Sequence, residues 1–599
     1  MALRILFLIL LVVPLWLGAN QLENNSSPYL ALHANDPVDW RVWSRQVLDK
    51  AKKENKLLFV SVGYFACHWC HVMQRESFSD PGIAKKLNRN FVSVKVDREL
   101  NSVLDSRLMT FLQSTTGRGG WPMNIILTPD GYPVVGMTYL PPERFSSVLD
   151  LLVENWQKDR KQLQDAAREV DTIIAKQLNA EQLLVKDVEV ANLQNAFLQQ
   201  AMSIADELGG GFGNTTKFPS ILQLSAMIKI NRIKSDKKVD AFILLTLDKM
   251  IYSGLHDVIG HGFYRYTVDP DWQTPHFEKM LYTNAQMAQL YMLAADVYQR
   301  QDYRKTALNT LDFMQREMRG KDDAMITSLS AVDNKNIEGG YYLWQLDELE
   351  KTLTENELKL AEQAWSITQP VLLEGGVLPI SSKISAGSEK TLETARKKLL
   401  SIRQKTRILP RDDKRLVSLN GLALAAFADG LSQDQKYLSQ GNKISVYLQK
   451  LWNGKDLQKA LDNHGKSMGQ GALSDYAATA YGLLKWSVAA NDKVSGETGR
   501  EILESAWQRF YSDKGWRELE TSLLPNPLYK MHLSDSAEPS AETLLVEASI
   551  LVLQKDKNVS LRQRIKKVLQ QASKGMYDDP YYYASLIGSA VEQSMVKRK

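Results

Sequence analysis

Between residues 40 and 140 the apolar positions switch between two periods. Lys56-Leu57-Leu58-Phe59-Val60-Ser61-Val62-Gly63 is an apolar run closed by glycine, the pattern of a buried strand. The charged stretch before it, Asp49 to Asn55, has helical composition, and His71 to Asn88 after it carries Ile83, Ala84 and Leu87 in helical period. Phe91 to Asp97 alternates as a second strand, and Val103 to Leu112 reads as a helix. Gly119-Gly120-Trp121-Pro122 then leads into a third strand, Met123 to Leu127. The turn Pro129-Asp130-Gly131 joins that strand to a fourth, Tyr132 to Val135, in a hairpin. Gln157 to Leu184 is charged and helical and closes this unit before a connector near Val185 to Val190.

From there to the end the pattern is helical almost throughout. Ser220-Ile221-Leu222-Gln223 reads as a capping box ahead of an apolar stripe. Tyr476, Thr479, Ala480, Leu483 and Leu484 fall on one helical face, as do Leu544, Leu545, Ala548 and Leu551. Glycine-rich or aromatic loops recur at 209–218, 260–272, 339–344 and 514–516. Twelve helices of roughly 15 residues with loops of similar length take up about 360 residues, which suits six helical hairpins closed into an (α/α)6 toroid.

Composition narrows the class without naming an activity. The 599 residues are 44% hydrophobic and 24% charged, with 74 basic and 69 acidic side chains for a net +5. These values are ordinary for a folded soluble chain and predict no attraction to nucleic acid. A positive start at Arg4, an uncharged stretch from Ile5 to Trp16, and small residues at Gly18 and Ala19 describe a secretory signal over residues 1–19. The stretch is shorter than the roughly 20 residues a membrane-spanning helix needs. The expected location is therefore periplasmic or secreted, with no stable membrane span after signal removal. An uncleaved anchor is the alternative.

Only two cysteines occur, and they stand three apart in Ala66-Cys67-His68-Trp69-Cys70-His71, just after the first strand. A strand, a Cys-x-x-Cys opening a helix, a strand, a helix and a proline-led hairpin is the order of an α/β thioredoxin fold. The chemistry suits that order, since free amide groups at a helix N-terminus stabilise a cysteine thiolate. The motif also fits c-type haem attachment, or a zinc site completed by His71 or His33. A disulfide that merely stiffens the loop is a further alternative.

Longer motifs carry a resemblance. Ser26-Ser27-Pro28-Tyr29-Leu30, His33, Asn35 to Trp40, Cys67 to Met73, Glu76-Ser77-Phe78, Val94 to Glu99 and Gly117 to Pro122 resemble the spermatogenesis-associated protein 20 family. The resemblance implies a thioredoxin-like domain over 20–184 and a helical domain over 190–599 similar to six-hairpin glycosidases and sugar 2-epimerases. The thioredoxin-like order itself points to thiol–disulfide oxidoreductase chemistry without a cofactor or a metal. Cys67 would then be the exposed nucleophile and Cys70 the buried resolving thiol. A protonated His68 would stabilise the Cys67 thiolate. Pro122, in a cis bond, and Trp121, as a substrate-facing platform, would flank the sulfurs. Thioredoxins keep a buried aspartate six residues before the first cysteine, and here that position is Ser61.

In the helical domain the same family is matched by Gly210 to Gly213, Lys217-Phe218-Pro219, Gly262 to Tyr266, Pro275 to Tyr282, Asp412-Asp413-Lys414 and Asn420-Gly421. Such toroids hold ligands at one end of a central cavity. The candidates here are Arg265, Asp269, His276, Glu278 and Asp413, walled by Tyr264, Trp272 and Tyr282. These residues would bind a partner, a glycan or a glycoprotein, beside a protein redox partner for the cysteines. A carbohydrate-active toroid, epimerase or hydrolase, and a scaffold without turnover are the other readings. His261 in place of a third glycine and Leu419 in place of a tryptophan depart from the family pattern.

Overall fold

The computed structural model describes residues 20–596 except 180–188, 368–371, 374, 383–387, 463 and 527–528. The expected signal segment, and most of the expected connector between the domains, therefore lie outside the described residues.

The first unit is a five-stranded sheet with helices on both faces. Its strands are β1 (Arg41–Val42), β2 (Leu57–Gly63), β3 (Phe91–Asp97), β4 (Met123–Leu127) and β5 (Pro133–Met137), in the order β1-β3-β2-β4-β5. The pairs β1/β3 and β2/β3 are parallel, while β2/β4 and β4/β5 are antiparallel. Helices α1 (Pro28–Leu32), α2 (Arg45–Glu54), α3 (His68–Met73), α4 (Pro81–Asn90), α5 (Ser102–Thr116), α6 (Pro142–Lys158) and α7 (Arg160–Asn179) complete it. The helix expected over 71–88 is two helices, because α3 widens into a π-helical turn over Gln74–Phe78 and Pro81 then starts α4.

Strand parity sorts the core. Leu58, Val60, Val62, Val92, Val94 and Val96 face α2 and α5 through Val47, Leu48, Leu108 and Phe111. Leu57, Phe59, Phe91 and Ile126 face the other way, toward Trp40, Phe78, Leu87 and Phe145. Ser61 and Lys95 share this second parity, so a lysine amine sits inside an aromatic layer.

The second unit is the expected toroid. Its inner helices are α9 (Ile221–Asn231), α11 (Leu281–Tyr298), α16 (Val417–Leu431), α18 (Leu473–Ala489), α20 (Ala541–Leu553) and α22 (Ala584–Val596). Each packs on the next, and α22 returns to α9 to close the ring. The outer helices are α8 (Val190–Ser203), α10 (Lys237–Ile251), α12 (Gln301–Glu317), α17 (Leu438–Leu451), α19 (Lys493–Phe510) and α21 (Val559–Asp578). Three further helices, α13 (Leu346–Thr352), α14 (Glu355–Ala364) and α15 (Glu389–Thr406), are inserted between α12 and α16. Inner helices such as α16 are apolar all round because both of their faces are covered, whereas the outer ones keep a polar side.

Glycine sets the closest contact in the ring. A Cβ on Gly421 of α16 would stand 2.3 Å from the Ala478 carbonyl oxygen, and one on Gly482 of α18 would stand 2.2 Å from the Gly421 carbonyl oxygen. The capping box expected at Ser220 is absent. Ser220 has φ +46° and makes no side-chain cap, while Gln223 donates to the Tyr581 carbonyl oxygen.

Candidate functional site

The thioredoxin-like domain presents the end of β2 and the start of α3 to the toroid. Cys67 caps α3, its sulfur accepting a hydrogen bond from the Cys70 amide at 3.1 Å. The two sulfurs are bonded to each other at 2.15 Å. Cys67 is 3% exposed and Cys70 1%, so the exposed nucleophile expected from the sequence is a buried one. The toroid lies against this turn through His68, whose ring meets that of His276, and through Tyr64, which accepts from Arg265. Tyr64 and Ala66 of the same turn are equally buried.

His68 meets the toroid directly. Its ring lies 5.8 Å from that of His276, and its Nε2 is 3.7 Å from Glu338, whose other oxygen is 3.7 Å from His276 Nε2. Burial, then His276 and Arg75, bring the His68 pKa down to about 4. His68 is thus neutral at pH 7 and does not supply the positive charge expected of it beside Cys67. Burial, reinforced by Arg265, brings His276 down to about 3. Burial with Glu278 nearby pushes Glu338 up to about 7. The Nδ1 atom of His68 is buried without a hydrogen-bond partner, while His276 Nδ1 lies 3.2 Å from a Glu278 oxygen. The two imidazoles also form the middle of a row of rings, Phe218, Tyr266, His276, His68, Trp69 and Tyr139, with successive centroids 4.8 to 5.8 Å apart.

Beside this row a tyrosine from the first domain enters the toroid. Tyr64 Oη accepts from Arg265 at 2.6 Å and lies 3.0 and 3.1 Å from the two oxygens of Glu278. Arg265 also donates to Tyr282 Oη at 3.0 Å. Burial raises the Glu278 pKa against the pull of Arg265. Alternation in Pro275-His276-Phe277-Glu278-Lys279 explains the placement. His276 and Glu278 turn to the domain boundary, while Phe277 stacks on Tyr342 and Lys279 pairs with Asp257 at 2.7 Å inside the toroid.

A second polar cluster crosses the boundary nearby. The Lys414 ammonium lies 2.7 Å from Asp97 at the end of β3, 2.9 Å from Glu99 and 2.7 Å from Asp412. Burial opposes its charge, but the three carboxylates prevail and raise its pKa. Burial pushes Asp412 up to about 8; Lys414 pulls it down, and Glu99 and Asp97 push it further up.

Comparison with known proteins agrees with this two-domain plan. A thioredoxin DsbH-type family model, described as a protein of unknown function (DUF255), matches residues 19–175. Spermatogenesis-associated protein 20 of Homo sapiens is 31% identical over 594 residues, covering 88% of this chain and 75% of that protein. The chain belongs to the spermatogenesis-associated protein 20 family. An uncharacterized Caenorhabditis elegans protein, B0495.5, is 28% identical over 584 residues, covering 88% of this chain and 79% of that protein. Among solved structures, a D-mannose isomerase is similar at 9% identity and a TM-score of 0.43, covering 64% of this chain and 85% of that one. A cellobiose 2-epimerase from Bacillus thermoamylovorans B4167 is similar at 12% identity and a TM-score of 0.43, covering 67% and 99%.

Several motifs of the spermatogenesis-associated protein 20 family turn out to tie loops together. The Asp269 carboxylate accepts from the amides of Asp271, Gln273 and Thr274, and Trp272 is buried with its indole donating to the Gly209 carbonyl oxygen. Asp413 faces outward beside Arg411 at 3.6 Å; its neighbours Asp412 and Lys414 are the buried pair. Asn420 bonds both the amide and the carbonyl of Met325. In the first domain the peptide between Trp121 and Pro122 is cis and Pro122 is buried. Trp121 is no open platform: its indole donates to Asp105 at 2.7 Å and its ring lies 3.9 Å from the Arg98 guanidinium. His33 pairs with Asp36 at 2.7 Å and His71 donates to the Phe65 carbonyl oxygen at 2.8 Å, so both imidazoles of the zinc alternative are engaged.

The structure therefore brings Arg265, His276, Glu278 and Tyr282 together with His68, and leaves Asp269, Trp272 and Asp413 elsewhere. Tyr64 and Glu338 complete the group and were missed. Nothing in the local pattern marks either one. The inward pair is Asp412 and Lys414 rather than the expected Asp413, and Arg411–Asp412 pairs antiparallel with Ser328–Leu329.

Proposed function

We propose that this chain exchanges thiols and disulfides through Cys67 and Cys70, with the toroid controlling access to the pair. The observation that carries the reading is the placement of Cys67 as the cap of α3, with the Cys70 amide donated to its sulfur, at the boundary with the second domain. An amide held on that sulfur favours the thiolate, the form that attacks and leaves in exchange. Given a thiol on a partner protein, the partner's thiolate attacks Cys67 and the Cys67–Cys70 bond breaks. Cys70 leaves as thiolate, and a second partner thiol resolves the mixed disulfide. The partner is oxidised by two electrons and the pair reduced by two; with a partner disulfide every step runs in reverse.

Sugar chemistry is not carried forward, because Arg265 and Glu278, which a carbohydrate-active toroid would need, are spent on Tyr64 of the first domain. In this reading they hold the thioredoxin-like domain in place. The compartment proposed is periplasmic or secreted, where dithiols are under active redox management. Among the described residues no helix is long and apolar enough to cross a membrane. The experiment is turnover of insulin disulfides, in both directions, by the full chain and by Cys67→Ser. Loss of turnover in the variant is expected, and equal rates would overturn the reading.

A further inference from the structure

The motif residue Tyr29 has no part in the exchange as described so far. Its ring lies in α1, 1% exposed, with its hydroxyl buried and lacking any hydrogen-bond partner. The hydroxyl reaches the end of β2 beside the sulfur pair. A Cβ added to Gly63 would stand 2.2 Å from Tyr29 Oη and 2.8 Å from Cys70 Sγ, so both atoms crowd the space that a methyl group there would fill. Gly63 has an ordinary backbone here, and close approach is the reason for glycine. Burial, then Asp97 and Asp36, raise the Tyr29 pKa, which keeps the phenol protonated and able to donate.

A hydroxyl left without a partner inside a protein is costly, and a sulfur in a disulfide is a poor acceptor while a thiolate is a good one. We infer that the Tyr29 hydroxyl is the hydrogen-bond donor to the Cys70 sulfur once the pair is reduced, and that it makes the pair a stronger oxidant. This rests on the thiol–disulfide reading of the same site. When glutathione reduces the pair, one glutathione thiolate attacks Cys67 and the Cys67–Cys70 bond breaks. Cys70 then leaves as thiolate with the electron pair, next to the Tyr29 hydroxyl. A second glutathione thiolate attacks the glutathione sulfur of the mixed disulfide and Cys67 leaves. Two glutathiones become one oxidised glutathione, and the pair gains two electrons and two protons.

The test is the equilibrium of the full chain with reduced and oxidised glutathione, wild type against Tyr29→Phe. The expected result is a shift of about tenfold toward the disulfide, or about 30 mV for a two-electron couple. The thermal midpoint of the oxidised chain should not fall, because the lost hydroxyl had no partner in that state. An unchanged constant overturns the inference, as does a fall in oxidised stability with the constant unchanged, which would mark a purely structural residue. Should Tyr29→Phe fail to fold, 3-fluorotyrosine at position 29 keeps the shape with a more acidic phenol. It should move the constant toward the dithiol, and no movement overturns the inference. Wild type inert toward insulin would sink the proposed function, whereas an unchanged glutathione constant with insulin turnover intact would sink only this inference.

Discussion

Lys95 and Lys414 are both sealed from solvent, the first inside the thioredoxin-like sheet and the second where the two domains meet. Their surroundings could hardly differ more. Lys95 has one hydrogen-bond acceptor, Ser61 Oγ at 3.0 Å, and the rings of Phe78, Trp40 and Tyr29 at 4.4, 5.1 and 5.4 Å. Burial pushes its pKa down to about 7, with Asp36 only partly opposing the shift. Lys414 donates to Asp97 and Asp412 and lies 2.9 Å from Glu99, and its pKa rises. Burial alone takes the charge off an amine, and burial among carboxylates fixes it there. The interior of the first domain thus contains a cation that is weakly held, while the domain boundary contains one that cannot be spared.

Substitutions at the two lysines should separate these cases. Lys414→Met leaves three buried carboxylates without a counter-ion. It should destabilise the chain by about 3–5 kcal/mol in chemical denaturation, the range for breaking a buried pair from one side. A loss below about 1 kcal/mol would mean that the cluster is solvated in solution.

Lys95→Met should behave oppositely. The folded pKa of Lys95, about 7, is below its unfolded value, so the unfolded chain binds more protons between pH 7 and about 10.4. Wild-type stability should therefore rise relative to the variant across that window, by up to about 1.4 kcal/mol per pH unit. The advantage of methionine would be largest below pH 7 and gone above about pH 10.4. A stability difference independent of pH would show that Lys95 stays charged in both states.

Tyr64→Phe tests the boundary from its other cluster. It removes the acceptor of Arg265 and the donor to Glu278, and should cost about 1–3 kcal/mol. It should also speed alkylation of the reduced cysteines if this contact holds the pair closed, and unchanged alkylation would separate docking from access. Asp413→Asn is the smallest change. An outward carboxylate paired only with Arg411 should alter stability by less than about 0.5 kcal/mol, and a larger effect in a thermal melt would return Asp413 to the site.

Local chemistry was legible where period or spacing carried it. The run 57–63, the alternation at 91–97 and the hairpin after Pro122 appear within two residues of their expected ends. The toroid followed from helix count together with the family resemblance. The site was legible only on the chain's own terms, residue type by residue type. His276 and Glu278 stand at the boundary as candidates should, but their partners Tyr64 and Glu338 are 214 and 62 residues away along the chain, on loops with no periodic signal. Cys67 was expected to be exposed because a thioredoxin domain considered alone exposes it. In the full chain it is buried where its turn meets the toroid, and burial also lowers the His68 pKa.

The row of rings from Phe218 to Tyr139 has an optical consequence. Among the described residues its ring contact across the boundary is that between His276 and His68, so an opening that parted the domains would break the row there. Trp69 is the indole next to that break and is 47% exposed, whereas Trp40, Trp272, Trp344, Trp486 and Trp516 are sealed in the core. The chain therefore carries a fluorescent gauge of its own closure, one that needs no label and can be followed in real time.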